Sequence, residues 1–115
     1  MTVQIFHNPR CSKSRQTLAL LEENGVKPEI IEYLKTPPTI EELKLVVSKL
    51  NVSVRDIIRT KESEYKEIGL NNSELTEHQV LQALVNTPKL IERPIVINND
   101  KAAIGRPPEN VLAII

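Results

Sequence analysis

Two short apolar runs on either side of one helical stripe constrain the start of this chain more than any other feature. Val3, Ile5 and Phe6 read as an inner strand, and residues 28–33, with Ile30, Ile31 and Tyr33, read as a second. Between them Thr17, Leu18, Leu21 and Glu22 recur at helical spacing and stop at Asn24-Gly25. Two strands flanking a helix of this length make a βαβ unit, whose crossover is right-handed. Thr36-Pro37-Pro38 then closes the second run.

The middle of the chain has a different period. Thr39 with Glu42, Ser53 with Asp56, and Thr76 with Gln79 each match the spacing of an acidic or amide-capped helix start. Leu43, Val46, Val47 and Leu50 form one apolar face, and Val80, Leu81, Leu84 and Val85 form another. Residues 39–87 are therefore expected to be a helical insertion. After Pro88 strand patterns return: residues 94–97 are an apolar run, Asn98-Asn99-Asp100 is a hairpin turn, and residues 102–104 are the partner strand. Gly105 breaks that strand, and Pro107-Pro108-Glu109 opens a last helix with proline in its first turn, with Val111, Leu112, Ile114 and Ile115 available to dock on the sheet. About four strands with helices on the faces give an α/β fold, one domain over residues 1–115, long enough to bury a core without staples.

Cys11, the only cysteine, lies between the first strand and the helix that starts near Ser12, within His7-Asn8-Pro9-Arg10-Cys11-Ser12-Lys13-Ser14-Arg15. Lone cysteines are often inert small hydrophobes. Here unpaired amides at a helix N-terminus and nearby cations both favour the thiolate, and such settings lower a thiol pKa from about 8.5 to roughly 3.5–7.5. A second thiol of a C-x-x-C pair would fall at position 14, which is Ser14, so an oxidised Cys11 must be resolved by a thiol from elsewhere.

Composition removes several function classes. Lys plus Arg and Asp plus Glu both number 15, so no general basic surface favours nucleic acid or an anionic membrane, and any anion site must be local. No apolar run approaches the ~20 residues of a membrane span. Met1-Thr2-Val3-Gln4 leads into a strand without a signal-like segment, and a cytoplasmic location is expected. One cysteine and two separated histidines do not make a zinc site, and three glycines carry no nucleotide-loop pattern, so no metal and no bound cofactor are expected.

Arginine suits tetrahedral oxyanions because its fork of donors binds two oxygens and stays charged. Most single arginines are solvated surface groups, but Arg93 and Arg106 each precede a proline at the edge of an apolar element, where chain direction is constrained. Arg10 and Arg15 flank the thiol, and Arg59 lies at the end of another element. His7 reads either as a structural polar residue or as an imidazole that polarises the thiol loop, and His78 as a helix-surface residue. Only about 5–6% of X-Pro bonds are cis in folded proteins, so Arg93-Pro94 taken alone is expected to be trans.

HNPRCSKSR near the start, the TPP turn, and the RPIV and IGRPPE segments near the end, in this order and spacing, resemble the glutaredoxin-coupled arsenate reductase family over essentially all 115 residues. The resemblance implies a thioredoxin-like small mixed sheet flanked by helices, with a helical insertion. It implies that Cys11 is the nucleophile, that His7 helps keep it ionised, that Arg59, Arg93 and Arg106 surround an oxyanion, and that Ser14 and Arg15 support the thiol loop. It also implies that Arg93-Pro94 is cis, against the base rate. The partners it implies are arsenate or a similar oxyanion, glutathione as co-substrate, and glutaredoxin. A monomer is expected. The alternative within the same fold is a redox-sensing regulator or interaction protein without arsenate turnover.

Overall fold

The computed structural model describes residues 3–115; Met1 and Thr2, the first residues of the start read above as lacking a signal, lie outside them. The chain divides into two compact units, one made of the segments up to Thr36 and from Arg93 to Ile115, the other of Pro37–Glu92. No described helix is long and apolar enough to cross a membrane.

The first unit is a four-stranded sheet in the order β2-β1-β3-β4, with β1 at Val3–Phe6, β2 at Glu29–Ile31, β3 at Ile95–Asn98 and β4 at Lys101–Ile104. β1 and β2 are parallel, with Ile5 opposite Ile30, and joined through α1 (Ser12–Glu23), the expected βαβ unit. β3 runs antiparallel to β1, and the β3-β4 hairpin turns at Asn99, whose φ of 57° is the left-handed conformation that a tight hairpin requires and asparagine tolerates. The sheet is therefore mixed and flanked by helices, in a thioredoxin-like arrangement.

Its core follows from the apolar periodicities. Ile5 and Val96 on the two central strands, Leu21 on α1 and Val111 are all fully buried together, with Val3, Leu18, Val26 and Ile114 packed around them. Burying side chains of this kind stabilises a fold by about 1.5–3 kcal/mol each. Gly25, with φ of 78°, ends α1 in a conformation that a side chain would strain.

The C-terminal segment is helical as expected, in 3-10 form over Pro108–Ile114, but its apolar residues do not all dock. Of the four apolar residues expected to dock, only Val111 is buried and Ile114 partly so, while Leu112 and Ile115 are exposed. Three residues per turn put positions 108, 111 and 114 on one line, so Pro108, Val111 and Ile114 face the sheet unit and Leu112 cannot. The tighter winding is supported by Asn110, whose side-chain amide donates to the carbonyls of Ile104 and Arg106 at 3.3 and 3.1 Å.

The second unit contains α2 (Ile40–Leu50), a 3-10 turn at Val54–Ile57, the short α3 (Glu64–Glu67), α4 (Glu77–Asn86) and a 3-10 turn at Pro88–Leu90. The insertion expected over 39–87 lies inside it. Thr39 with Glu42 and Thr76 with Gln79 form complete capping boxes at the starts of α2 and α4. Ser53 with Asp56 forms a third, but the element it opens is a single 3-10 turn that Ile58 leaves in an extended conformation. Leu43, Val46, Val47, Leu81 and Leu84 make up much of the buried face of this unit.

Candidate functional site

The site begins with a change of backbone conformation at Cys11. This residue is extended, with φ of −94° and ψ of 124°, and occupies the N-cap of α1. Its own N–H donates to the Asn8 carbonyl at 3.0 Å, closing a turn over Pro9 and Arg10, and its carbonyl accepts from the Arg15 N–H at 3.0 Å. The sulfur thus stands where the first turn of a helix presents unpaired amides. It is 9% exposed, shielded from bulk water yet not sealed.

Burial pushes the Cys11 thiol up, but four influences outweigh it and hold the pKa below its ordinary 9.0: the Ser14 N–H, the Arg93 guanidinium by hydrogen bond and by charge, and the Lys13 N–H. Arg106 adds a second guanidinium, with Nη2 donating toward Sγ at 3.7 Å. Two segments nearly a hundred residues from Cys11 in sequence thus supply its cations.

The two arginines are positioned by one piece of backbone. Arg106 Nε donates to the Arg93 carbonyl at 2.7 Å, and the Gly105 N–H donates to the Pro94 carbonyl at 2.9 Å. Arg93-Pro94 is cis, as the family resemblance implied against the base rate, and Arg106-Pro107 is cis as well. Gly105 is the hinge of this pairing: a Cβ there would lie 2.5 Å from Thr17 Oγ1 and 2.8 Å from Pro94 Cγ. Only glycine lets α1 and the Pro94 turn approach so closely.

His7 and Ser14 form a buried pair behind the thiol loop. His7 Nδ1 lies 2.6 Å from Ser14 Oγ, which also accepts the Asn8 N–H at 3.0 Å. Burial, opposed by Glu32 and aided by Arg15, holds the His7 imidazole below its ordinary 6.5. A neutral ring leaves Nδ1 able to accept the Ser14 proton. His7 therefore reaches the thiol loop through Ser14, whose amide faces the sulfur, and supplies no positive charge at neutral pH. Arg15 turns back along the loop, Nη1 donating to the Pro9 carbonyl at 2.9 Å.

Cys11, Ser14, Arg15, His7, Arg93, Pro94 and Arg106 all belong to the sheet unit. Arg59 belongs to the helical unit, just after an isolated bridge between Ile58 and Ile91, where its N–H donates to the Leu90 carbonyl at 2.7 Å. Its guanidinium is paired with Glu92 at 3.0 Å and with Glu62 at 4.0 Å, while Nε is buried without an acceptor. His78 is exposed at the start of α4. Among the described residues no group of three His, Cys, Asp or Glu side chains could hold a metal ion. Gly105 reads from sequence as a strand breaker, and Thr17 and Asn8 do not stand out there; Gly105 and Thr17 act through a contact between distant segments and Asn8 through hydrogen bonds within the thiol loop, and a threonine in an apolar stripe is the one available signal.

The ArsC family model matches residues 6–114, from the end of β1 to the last turn of the chain. The chain belongs to the ArsC family. A 54% identical relative, over 98% of this chain and 96% of its own length, is the uncharacterized protein YfgD of Escherichia coli K12. An arsenate reductase of Neisseria meningitidis serogroup B is 51% identical over 98% of this chain and 97% of its own. Among solved structures, an arsenate reductase from Vibrio cholerae superposes with a TM-score of 0.97 at 52% identity, covering 100% of this chain and 98% of that one. Family membership and the thioredoxin-like architecture thus agree, and the segments that meet at Cys11 all fall within the matched region.

Proposed function

We propose that this ArsC-family chain reduces arsenate to arsenite through Cys11, drawing electrons from glutathione and glutaredoxin. The observation that carries the reading is the lone thiol at the start of α1 with Arg93 and Arg106 beside it. A thiolate at a helix N-terminus flanked by guanidinium groups suits nucleophilic attack on a tetrahedral oxyanion, and the absence of a second cysteine requires external thiols.

In this reading the Cys11 thiolate attacks arsenic and one As–OH, taking a proton from the oxyanion or solvent, leaves as water, giving a thiol-bound arsenate. Glutathione attacks the same arsenic, and a second hydroxyl leaves as water with the proton of the incoming thiol. A glutaredoxin thiolate then attacks the glutathione sulfur. The As–S pair of electrons stays on arsenic, which becomes trivalent, while glutaredoxin and glutathione leave as a mixed disulfide. Water finally releases arsenite and returns Cys11. Arg93 and Arg106 hold the oxyanion during displacement, a role that the family resemblance extends to Arg59. Ser14 and Arg15 hold the thiol loop in shape, His7 orients Ser14, and Pro94 sets the direction of Arg93.

The test is arsenite formation by the purified protein with arsenate, glutathione and glutaredoxin, each donor omitted in turn, beside Cys11→Ser. Turnover that needs Cys11 and both donors is expected. Equal background formation by wild type and Cys11→Ser, with wild-type Cys11 still alkylatable, would overturn the reading.

A further inference from the structure

A groove of about 540 Å³ runs beside the thiol loop, with His7, Pro9 and Arg10 on one side and Glu32, Leu34 and Lys35 on the other. Its location follows from topology. β1 and β2 are parallel neighbours, so their C-terminal ends leave the sheet at the same edge, and the His7 N–H donates to the Ile31 carbonyl at 2.9 Å. The segment that carries Cys11 and the segment after β2 therefore emerge side by side. The volume lies within the roughly 300–1,000 Å³ of small-molecule sites.

We propose that this groove seats glutathione, its two carboxylates directed to Arg10 and Lys35, its ammonium to Glu32, and its central thiol toward the Cys11 side of the loop. The choice of ligand rests on the arsenate-reduction reading above. The charges carry the assignment: glutathione bears two carboxylates and one ammonium, and the groove offers two cations and one carboxylate. Arsenate itself would meet Glu32 there with like charge, so the groove is unsuited to the oxyanion and complementary to the thiol donor. Leu34, a large apolar side chain that is 43% exposed, offers a surface for the methylene stem of the γ-glutamyl arm. The Lys35–Glu32 pair at 3.5 Å is solvent-exposed, and such pairs stabilise little, so a ligand can exchange partners with them at small cost. Arg10 adjoins Cys11 in sequence, so the groove lies against the loop that carries the thiol, although Cys11 itself does not line it.

The chemistry places one demand on this site. The glutathione sulfur forms a bond to arsenic as one hydroxyl departs with the thiol proton, so the tripeptide must be held by its ends while its centre stays free. Charged contacts at the two termini do that.

The experiment has two arms. In the first, S-methylglutathione, which cannot react, is titrated into isotope-labelled wild-type protein without arsenate. The expected result is saturable shifts of backbone amide resonances in residues 7–10 and 32–35. In the second, Lys35→Glu raises the glutathione KM by roughly five- to tenfold and leaves the arsenate KM and the Cys11 alkylation rate unchanged, with Lys35→Arg restoring the wild-type value. No shifts, or shifts confined to other segments, overturn the proposal, as does an unchanged glutathione KM in Lys35→Glu. So does a change in the glutaredoxin KM alone, which would make the groove a protein contact. If the protein forms no arsenite, the arsenate-reduction reading fails while the first arm still decides whether the groove binds the tripeptide.

Discussion

In the sheet unit His7, Ser14 and Thr17 are buried beside apolar neighbours, whereas the buried residues of the helical unit are apolar and its polar side chains work at helix starts and in surface ion pairs. Burying a polar side chain without a partner costs about 1–3 kcal/mol on the mutational scale. A unit whose role is packing has little reason to accept that risk, and in the helical unit it falls on the Arg59 Nε, buried without an acceptor while the rest of that guanidinium is ion-paired. The sheet unit accepts it around one segment: His7 with Ser14 behind the thiol loop, and Thr17 against the Gly105 turn that adjoins Arg106. Buried polarity thus marks where local geometry is specified more tightly than stability alone requires.

Charge divides the same way. Lys89 of the helical unit is paired with Glu64 at 2.6 Å and with Glu62 at 3.4 Å, and this lysine holds the Glu64 carboxyl down at about 2. Lys89 is exposed and the two carboxylates half-exposed at the surface, where ion pairs contribute little. In the sheet unit the guanidinium groups of Arg93 and Arg106 reach a thiol. The largest expected effect separates these two uses. Arg93→Ala should raise the pH midpoint of Cys11 alkylation by iodoacetamide and lower kcat/KM for arsenate about 10- to 100-fold, the loss expected for one charged hydrogen bond. Lys89→Ala should change neither. An unchanged alkylation midpoint in Arg93→Ala, with the fold intact, would remove the distinction. The sign of the linked stability is also fixed. Cys11 is an acid with a depressed folded pKa, so its ionisation stabilises the fold fully above the unfolded value of 9.0, and that contribution is lost as pH falls through the folded value.

A smaller effect is expected behind the loop. Ser14→Ala removes the hydroxyl that accepts from the Asn8 N–H and bonds to His7 Nδ1, leaving the buried Nδ1 and the half-buried Asn8 N–H without this partner. The expected cost is about 1–3 kcal/mol in denaturant unfolding, together with slower Cys11 alkylation as the loop loses its shape. Lost stability with unchanged alkylation would show that the pair supports the fold and not the thiol. The stabilising part of this pair also has a pH dependence. Since His7 is held below its ordinary 6.5, the unfolded imidazole takes up a proton first on acidification; stability from keeping it neutral is complete above 6.5 and is lost as pH falls through the folded value.

How much of this could be read beforehand followed from the range of each interaction. The β3-β4 hairpin and the capping boxes of α2 and α4 rest on contacts between residues a few positions apart, and the βαβ unit on a period within each of its elements, so local pattern displays them. The nature of the C-terminal element did not show, because Val111 and Ile114 fit an α-helical stripe as well as a 3-10 line, and the sheet beneath decides which is used. Cys11 was visible as a thiol at a strand-to-helix junction. Its partners Arg93 and Arg106 were visible only as arginines before prolines, since what brings them to the sulfur is the Gly105–Pro94 hydrogen bond and the lack of a Cβ at Gly105. Arg59, grouped with those two by the family resemblance alone, is tied in its own unit to Glu62 and Glu92, a difference no single-residue pattern carries.

The smallest effect gives the sharpest control on the comparison. Thr39 and Thr76 each accept the N3 amide of their helix at 3.1 and 3.2 Å while Glu42 and Gln79 return the bond to the cap amide at 3.1 and 2.9 Å. Replacing such a cap by alanine costs about 0.5–2 kcal/mol, and because the caps are exposed the released amides can turn to water, which keeps the loss near the lower end. Thr39→Ala and Thr76→Ala should therefore lower the denaturation midpoint slightly and leave both the rate and the pH midpoint of Cys11 alkylation at wild-type values. Ser14→Ala moves stability and reactivity together because one hydroxyl serves both; the caps move stability alone because their bonds close within four residues of the same helix. A cap variant that shifted the alkylation midpoint as Ser14→Ala does would mean that the helical unit tunes the thiol after all, and buried polarity would no longer be the feature that locates the site.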